Sequence, residues 1–323
     1  MNSAICTLFE GHYHYGVATL SNSLYNQGFR GKIFVGYRGA LPSWILKGKK
    51  EPVGKWQDAI TLKPIEGLEL VFLPLTTQYS LTNYKPDFML ELWQDVAKEA
   101  EAMFFFDPDI VVVDSWTCFE QWAQYGVAVS EDINSPLPEF HPRRIGWRSY
   151  FKKYGIELQF VNEIYVNGGF VGLVKKDMHF LTLWIQLQEG MSDAIGGLVN
   201  SIFSKEGRDS TIAPMIGFQY FDKSDQDALN ATIEAYDGVV SHIGKEGMGF
   251  VSGQIMMYHA LGGQKPWLIN YLAWVMEGKP PRDLDVAYFK NVNDPILSNT
   301  HWEIKKKKIS IKAAKFIGRF YKI

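Results

Sequence analysis

Residues 104–116, FFFDPDIVVVDSW, place two carboxylates inside an otherwise apolar run. Three phenylalanines lead into Asp107 and Asp109, and four aliphatic residues follow them. A run this apolar is typical of a buried strand, where an unpaired charge is costly. Either the strand ends in an Asp-Pro turn with solvated acids, or a cation lies between the carboxylates. In the second case the pair suits Mg²⁺ or Mn²⁺, which bind one or two protein carboxylates and complete their shells with substrate phosphates.

The segments around this stretch alternate between strand-like and helix-like patterns. Strands are predicted at 4–9, 32–37, 68–73 and 102–106, with helices at 16–28 and 86–102. Farther along, a long loop is predicted at 130–147, strands at about 156–161 and 165–174, and helices near 176–188, 224–234 and 266–278. This alternation favours an α/β fold with a mostly parallel central sheet and flanking helices.

The composition describes an ordinary globular protein. Of 323 residues, 46% are hydrophobic and 21% charged, which excludes disordered and fibrous classes. The net charge of −2 gives no general attraction to nucleic acid, and no nucleic-acid partner is expected. The N-terminus lacks the basic region of a signal peptide, and no run approaches the roughly 20 apolar residues of a membrane span. We therefore expect a cytoplasmic protein.

Three further motifs combine glycines with polar side chains. In HALGGQKPW (259–267), His259 is a candidate metal ligand and Lys265 a cation suited to phosphate. SDQDALNATI (224–233) predicts a helix capped by Ser224 or Asp225. In YVNGGFVGL (165–173), a glycine pair interrupts an apolar strand, which indicates a bulge or close approach to a ligand. Each motif alone is more often structural than functional.

Taken in order, DPD, NGG, DQDALN and HxxGxxKPW resemble the retaining glycosyltransferases of family 8, in particular bacterial members that build lipopolysaccharide sugars. The motifs span about residues 4–267, and their order is more specific than any one motif. The resemblance implies a GT-A fold, a nucleotide-sugar donor such as a UDP-sugar, a glycan or lipid-linked acceptor, and Mn²⁺ or Mg²⁺ as cofactor. Residues 1–280 are expected to form the catalytic domain and residues 281–323 a C-terminal extension.

The resemblance also implies roles for individual residues. Asp107, Asp109 and His259 are expected to ligate the metal. Asp225 and Gln226 are expected at the reaction centre. The residues expected to contact the donor are Thr7, Leu8, Tyr15, Lys85, Asp132, Asn167, Gly168, Gly262 and Lys265.

The sequence departs from the family pattern in its first loop, EGHYHYG (10–16), and in Asn-Gly-Gly where Asn-Ala/Ser-Gly is usual. These departures leave the donor sugar open. Retention requires either a nucleophile, for which Asp225 is the candidate, or front-face attack with Asp225 and Gln226 as positioning groups, which we favour. A nucleotidyltransferase of similar fold and a non-catalytic nucleotide-sugar or membrane-binding module remain the alternatives.

The C-terminal segment, IKKKKISIKAAKFIGRFYKI, is strongly basic. Its cationic residues are Lys305, Lys306, Lys307, Lys308, Lys312, Lys315, Arg319 and Lys322. Its apolar residues Ile309, Ala313, Phe316, Ile317 and Phe320 are spaced as one helical face. A basic amphipathic helix of this kind predicts peripheral association with an anionic membrane, and a solvated tail is the alternative.

Overall fold

The computed structural model describes residues 1–201 and 219–320. By internal contacts the chain divides into a first unit (1–8, 75–105 and 119–245) and a second unit (9–74, 106–118 and 246–323). Lys322 of the basic tail lies outside the described residues.

Strands and helices alternate along the described residues. The strands are β1 (Ser3–Glu10), β2 (Gly31–Arg38), β3 (Lys49–Lys50), β4 (Ile60–Ile65), β5 (Leu68–Pro74), β6 (Ala102–Phe106), β7 (Ile110–Val112), β8 (Val127–Glu131), β9 (Val166–Val174), β10 (Val240–Ile243) and β11 (Met257–His259). The helices are α1 (His14–Asn26), α2 (Lys85–Gln94), α3 (Trp116–Ala123), α4 (Pro142–Lys152), α5 (His179–Met191), α6 (Ser224–Ala235), α7 (Tyr271–Met276), α8 (Asp283–Lys290) and α9 (His301–Gly318).

The first unit has the strand order β10-β8-β9-β6-β1. β1 pairs in parallel with β6, and β8 with β10, whereas β8 and β9 are antiparallel. All five residues of β6 are buried, as expected for a strand covered on both faces. The predicted α/β class, with parallel strand pairs and flanking helices, is confirmed.

The second unit has the strand order β2-β5-β4-β3, and β7 with β11 forms a separate two-stranded sheet. β2 and β5 are parallel, whereas β3, β4 and β5 are antiparallel to one another in turn. A buried cluster in this unit joins α7, α8 and α9 and includes Tyr271, Leu284, Ile304 and Ile311. Helix α9 is therefore packed against the second unit along one side.

Two of the predicted elements are absent from the structure. The loop predicted at 130–147 gives way to α4, because Pro142 opens the helix and His141 accepts a hydrogen bond from the Arg143 amide at 3.2 Å. Residues 156–161 form no strand, since their amides bond instead to the ends of helices, Ile156 to the Phe151 carbonyl (3.1 Å) and Gln159 to the Glu234 carbonyl (2.8 Å).

Two helices are shorter than predicted. The helix predicted at 266–278 begins only at Tyr271, where the Asn270 side chain caps it by accepting from the Ala273 amide at 3.4 Å. The helix predicted at 86–102 ends at Gln94, because Asp95 leaves the helical region with ψ of −91°. Among the described residues, no helix combines the length and the apolarity that crossing a membrane requires.

Candidate functional site

The turn Asp107-Pro108-Asp109 follows β6 in the second unit. The Ile110 amide donates to the Asp107 carbonyl at 3.1 Å, which closes the turn. Asp109 is only 6% exposed, whereas Asp107 is partly exposed. Gly16, in the first turn of α1, lies against this turn: a Cβ there would lie 2.9 Å from the Pro108 carbonyl carbon and closer still to its oxygen. The turn is thus held in place by a helix that approaches it through a glycine.

His259 reaches the turn because β11 pairs with β7. The register places His259 opposite Ile110, and the Ala260 amide donates to the Asp109 carbonyl at 3.1 Å. His259 Nε2 lies 3.4 Å from Asp109 Oδ1 and 3.8 Å from Asp107 Oδ2. We call Asp107, Asp109 and His259 the carboxylate–histidine cluster. Its three residues span about 150 positions of sequence and meet through a pairing of three residues per strand.

Lys265 supplies the cation beside this cluster. Its Nζ donates to Asp109 Oδ2 at 2.5 Å and to the Ala260 carbonyl at 2.6 Å. Burial alone raises the pKa of Asp109, but the His259 ring and the Lys265 ammonium outweigh it and hold that pKa well below its usual range. Burial lowers the pKa of Lys265, but Asp109, Tyr13 and Asp107 together raise it by more, so the pKa of Lys265 lies above its ordinary value. Both groups are therefore charged at neutral pH.

The carboxylate–histidine cluster fits a divalent cation. One ligand atom from each residue can be chosen so that all lie within 4.8 Å of one another. Ligands about 2.1 Å from an octahedral ion lie roughly 3 to 4 Å apart, which matches the His259 distances. Two carboxylates and an imidazole form a donor set that suits Mn²⁺ and Mg²⁺. A cation would also offset the negative charge that Lys265 balances only in part.

Tyr13 and Trp267 adjoin this cluster and were missed by the sequence analysis. Lys265 Nζ lies 5.6 Å from the centre of the Tyr13 ring, and Trp267 packs edge-on against that ring at 5.7 Å. The Trp267 indole N–H donates to His12 Nδ1 at 2.9 Å. The unusual EGHYHYG loop was a visible signal, but nothing in it showed that Tyr13 rather than Tyr15 faces the cluster.

The other residues predicted on the first strand and loop take different positions. Thr7 and Leu8 are buried within β1, and Thr7 Oγ1 has no hydrogen-bond partner in the described part of the chain. Tyr15 offers its backbone carbonyl to the Tyr288 hydroxyl at 3.2 Å. Gly262 has φ of +77°, which only glycine adopts readily, so the loop before Lys265 depends on it.

A second cluster, in the first unit, surrounds a buried lysine. Lys85 is 2% exposed, and its Nζ donates to the Gly168 carbonyl at 2.8 Å and to Asp225 Oδ2 at 3.0 Å. A Cβ at Gly168 would lie 3.1 Å from Asp225 Oδ2, so a glycine there lets β9 approach the start of α6. We call Lys85, Gly168, Asp225 and Gln226 the Lys85 cluster. The ion pair holds Asp225 in one position.

Only one of the two polar groups of the Gln226 side-chain amide has a hydrogen bond in the described part of the chain. Its Oε1 accepts from the Gly168 amide at 3.2 Å. Its Nε2 is buried and has no hydrogen-bond partner within the described ranges. A buried donor without a partner is costly, and one explanation is a ligand that accepts from it.

Asn167 and Asp132 also meet in the first unit. Asn167 Nδ2 donates to Asp132 Oδ2 at 2.6 Å, and Asn167 Oδ1 accepts from the Gly169 amide at 2.9 Å. Asp132 Oδ1 accepts in addition from the Asn134 amide at 2.8 Å. The structure therefore brings most of the predicted residues of this unit into two hydrogen-bonded groups that adjoin at Asn167 and Gly168 of β9, whereas Thr7 and Leu8 belong to neither group.

The start of α6 differs from the predicted cap. The N-cap is Lys223, and neither Ser224 nor Asp225 caps the helix. Ser224 instead donates to Asn83 Oδ1 at 3.0 Å, and Asp227 accepts from the Lys223 amide at 2.8 Å. Asp225 is thereby left to pair with Lys85 rather than with the helix backbone.

Asp227 is a third residue that the sequence analysis did not single out. Its Oδ1 accepts from the Tyr165 hydroxyl at 2.7 Å, and Arg143 Nη1 lies 3.5 Å away. Burial raises the pKa of Asp227 to about 7, against the lowering effect of Arg143 and of Tyr165. Its charge therefore changes near neutral pH.

Comparison with known proteins gives structural similarity only. No family model matches the chain, and no curated protein does. The chain is similar to a complex of the galactosyltransferase LgtC with donor and acceptor sugar analogues (15% identity, 94% of this chain and 99% of that one, TM-score 0.48). It is also similar to the apo bifunctional glycosyltransferase WbbM (13%, 94% and 51%, 0.49) and to the glycosyltransferase GlyE of Streptococcus pneumoniae (14%, 96% and 64%, 0.47). The chain thus spans about half the length of WbbM. Similarity at this level leaves the chemistry to be inferred from the residues of the site.

Proposed function

We propose that this chain is a metal-dependent glycosyltransferase of the GT-A type that moves a hexose from a nucleotide-diphosphate sugar, such as a UDP-sugar, to a glycan or lipid-linked acceptor. The observation that carries the proposal is the carboxylate–histidine cluster with Lys265 held on Asp109 at 2.5 Å. Two carboxylates, an imidazole and a buried ammonium group at a strand end suit a metal diphosphate. Residues 1–280 carry the transfer chemistry, and residues 281–323 carry the membrane contact described below.

The roles of the second-unit residues follow from charge. Asp107, Asp109 and His259 would hold a divalent ion, which would supply positive charge to the diphosphate leaving group. Lys265, already next to Asp109, adds a second positive charge where the leaving group becomes negative. Gly262 lets the backbone of this loop approach the phosphates, and Tyr13 closes the other side of Lys265.

The roles of the first-unit residues follow from hydrogen bonding. We assign the Lys85 cluster, Asn167 and Asp132 to the transferred sugar. Asp225 is a weakened nucleophile, because Lys85 holds its Oδ2 at 3.0 Å. The unsatisfied Gln226 Nε2 is a donor for a sugar or acceptor oxygen. These features favour front-face attack, with Asp225 and Gln226 as positioning groups. Thr7, Leu8 and Tyr15 are assigned to the nucleotide by resemblance alone.

The transfer step needs only the nucleotide-sugar donor and the acceptor hydroxyl as reactants. The acceptor hydroxyl oxygen bonds to the anomeric carbon as the bond from that carbon to the diphosphate oxygen breaks. The hydroxyl proton passes to the departing diphosphate, and the configuration is retained when attack comes from the leaving-group face. The products are a glycoside and a nucleoside diphosphate.

A donor screen tests this proposal. Purified protein is incubated with single nucleotide sugars, with and without Mn²⁺, and release of nucleoside diphosphate is measured. We expect release from one nucleotide class, dependent on Mn²⁺, and its loss in Asp109→Asn. Release of pyrophosphate from a nucleoside triphosphate and a sugar phosphate instead would indicate a nucleotidyltransferase. Binding without any turnover would indicate a non-catalytic module.

The outer face of α9 supports the proposed contact with an anionic membrane. Trp302, Ile309 and Phe316 of α9 lie within about 40° on an ideal helix of 3.6 residues per turn, and together with Phe320 just after the helix they are 57–75% exposed. Of the predicted apolar face, Ala313 and Ile317 are only partly exposed, and Trp302 joins it from outside that set. Lys305, Lys312, Lys315 and Arg319 flank the exposed stripe. Aromatic rings beside lysines match an interface of acyl chains and anionic head groups.

Vesicle sedimentation tests this contact. The Trp302→Ser, Phe316→Ser double variant is expected to lose binding to vesicles that contain phosphatidylserine, and wild-type binding is expected to fall with salt. The control is Tyr125→Ser, which removes an aromatic that is 75% exposed in the first unit. Equal binding by the double variant and the wild type would refute the contact.

A further inference from the structure

A groove in the second unit has no role in the chemistry described so far. Its volume is about 780 Å³, within the roughly 300–1,000 Å³ of small-molecule sites. Of the tyrosine and tryptophan residues that line it, Tyr271 and Tyr288 are almost fully buried, whereas Trp267 and Tyr15 are partly exposed, and Tyr15 is the one already assigned to the nucleotide by resemblance. Such rings offer flat apolar faces, on which the C–H faces of a sugar ring can pack.

The polar groups of the groove are concentrated on one side, along α9 and just before α7. Asn270 and Ser310 line it there, together with the consecutive cations Lys306 and Lys307. Amide and hydroxyl groups suit sugar hydroxyls, whereas two adjacent ammonium groups suit an anion.

The charged residues on this side of the groove, Glu303, Lys306 and Lys307, give it a net positive charge. Lys307 Nζ donates to the Ile269 carbonyl at 2.5 Å and lies 5.8 Å from the centre of the Tyr271 ring, so it is fixed at the wall. Lys306 is exposed. Glu303 also lines the groove, but its carboxylate accepts from the Thr300 amide at 3.0 Å and from the Thr300 hydroxyl at 2.8 Å. The acid is thus engaged in the α9 capping box.

Trp267 connects the groove to the carboxylate–histidine cluster within the second unit. It lines the groove and also contacts Tyr13 and His12, and Tyr13 in turn lies beside Lys265. A ligand in the groove therefore rests against the same indole that borders the proposed diphosphate site.

We propose that this groove binds the acceptor, and that the acceptor is a saccharide that carries a phosphate group. The proposal rests on the proposed transferase function. The sugar packs on the partly exposed Trp267 ring beside Tyr15, its hydroxyls bond to Asn270 and Ser310, and its phosphate pairs with Lys306 beside the fixed Lys307. The phosphate belongs to a free phosphorylated sugar or to a lipid-linked one, and both present the same chemistry to the groove.

Isothermal titration calorimetry with glucose 6-phosphate, glucose and inorganic phosphate tests this assignment. UDP and Mn²⁺ are kept saturating, so that the proposed donor site is occupied. We expect glucose 6-phosphate to bind at least tenfold more tightly than glucose or phosphate alone. Lys306→Ala should weaken it at least fivefold. The matched control is Lys312→Ala, which removes an exposed lysine of the same helix outside the groove.

A second arm distinguishes the two sources of the phosphate. A polyprenyl-phosphate hexose in phosphatidylcholine vesicles, which carry no net charge, is compared with the free hexose phosphate. Tighter binding of the vesicle form, still weakened by Lys306→Ala, assigns a lipid-linked acceptor, and preference for the free form assigns a soluble one. Equal binding of glucose and glucose 6-phosphate, or no effect of Lys306→Ala with either probe, overturns the proposal.

Failure of the groove and failure of the transferase function give different results. Release of nucleoside diphosphate by the wild type without binding of glucose 6-phosphate would contradict the groove assignment and leave the transferase function supported. Asp109→Asn should lose that release yet keep glucose 6-phosphate binding. If the wild type bound glucose 6-phosphate in the groove but did not turn over any donor, the transferase function would be contradicted and the groove would remain a binding site.

Discussion

Gly16→Ala is expected to damage the carboxylate–histidine cluster without touching any of its residues. The new Cβ would lie 2.9 Å from the Pro108 carbonyl carbon and 3.0 Å from the Trp267 ring, where carbon atoms normally stay about 3.5 Å apart or more. The neighbour on the Pro108 side is backbone and cannot rotate away. The turn between Asp107 and Asp109 must therefore move by roughly 0.6 Å or more, which exceeds the ~0.5 Å that functional sites tolerate.

The energetic cost follows from two opposing terms. Overpacking typically costs about 1–3 kcal/mol, and replacing glycine by alanine in a helix returns about 0.5–1 kcal/mol. With an unfolding entropy of ~2.1 cal/mol/K per residue, 1 kcal/mol shifts the melting temperature of a chain this size by about 1.5 °C. Gly16→Ala should therefore lower the melting temperature by about 1–3 °C.

Mn²⁺ affinity is the decisive measurement, read from the electron paramagnetic resonance signal of free Mn²⁺. We expect Gly16→Ala to bind Mn²⁺ at least tenfold more weakly than the wild type. The matched control is Gly190→Ala in α5, whose Cβ would lie 3.5 Å from Phe151, an ordinary contact. It should keep wild-type affinity and melt at the same temperature or slightly higher. Wild-type Mn²⁺ affinity in Gly16→Ala would refute the view that Gly16 positions the turn.

Three further variants address the other buried polar groups. Asp109→Asn should lower Mn²⁺ affinity at least 100-fold. It should also destabilise the fold by about 3–5 kcal/mol, because buried Lys265 loses its charged partner. The Mn²⁺ signal and urea unfolding measure the two effects, and an unchanged affinity would exclude Asp109 as a ligand. Gln226→Leu should slow transfer about 10²–10³-fold, because the Nε2 donor proposed to bind the substrate is lost. The free energy of unfolding should change much less. Normal turnover by the variant would rule out a role of Gln226 in the reaction. Asp227→Asn should flatten the pH dependence of stability. The folded pKa of Asp227, about 7, exceeds the unfolded value near 4, so the unfolded chain loses its proton first and stability falls as pH rises from about 4 to 7. Urea unfolding at pH 5 and pH 8 measures the difference, and an equal difference in the variant would contradict the assignment.

The local chemistry of the site was readable from the sequence because it depends on short spacings. Asp107 and Asp109 lie two residues apart after an apolar run, and Lys265 follows His259 by six. The structure brings the acids and the imidazole within 4.8 Å, as the metal hypothesis required. The positions of strands β2 and β5 could also be predicted from the sequence, since runs of three and four consecutive apolar residues (33–35 and 70–73) mark them.

What the sequence concealed were contacts between distant segments. Neither the pairing of β7 with β11 nor the burial of Lys85 against Asp225 leaves a periodic pattern. The helix cap was wrong for the same reason: Ser224 had a distant partner, Asn83, which removed it from its local role. Partners that are distant in sequence decide which hydrogen bond a polar side chain makes, whereas local propensity describes only the bonds available to it within its own segment.

The basic tail shows a third limit. Its helical period was readable, but a period does not say which of two opposite faces is covered. Ile304 and Ile311 pack into the buried cluster, whereas Ile309 and Phe316 remain exposed. Removing the helix would uncover that cluster, so point changes on the outer face are the sound test of the membrane contact.

The pairing of β7 with β11 also sets when the proposed metal site could form during synthesis. Asp107 and Asp109 leave the ribosome about 150 residues before His259, and only three residue pairs join the two strands. Until that late segment has emerged and closed the loop, the nascent chain presents two acids without their third ligand. Metal binding then favours only chains in which the closure has occurred. A bound ion would thus stabilise the pairing of β7 with β11, and the availability of the ion would influence the yield of folded protein as well as its activity.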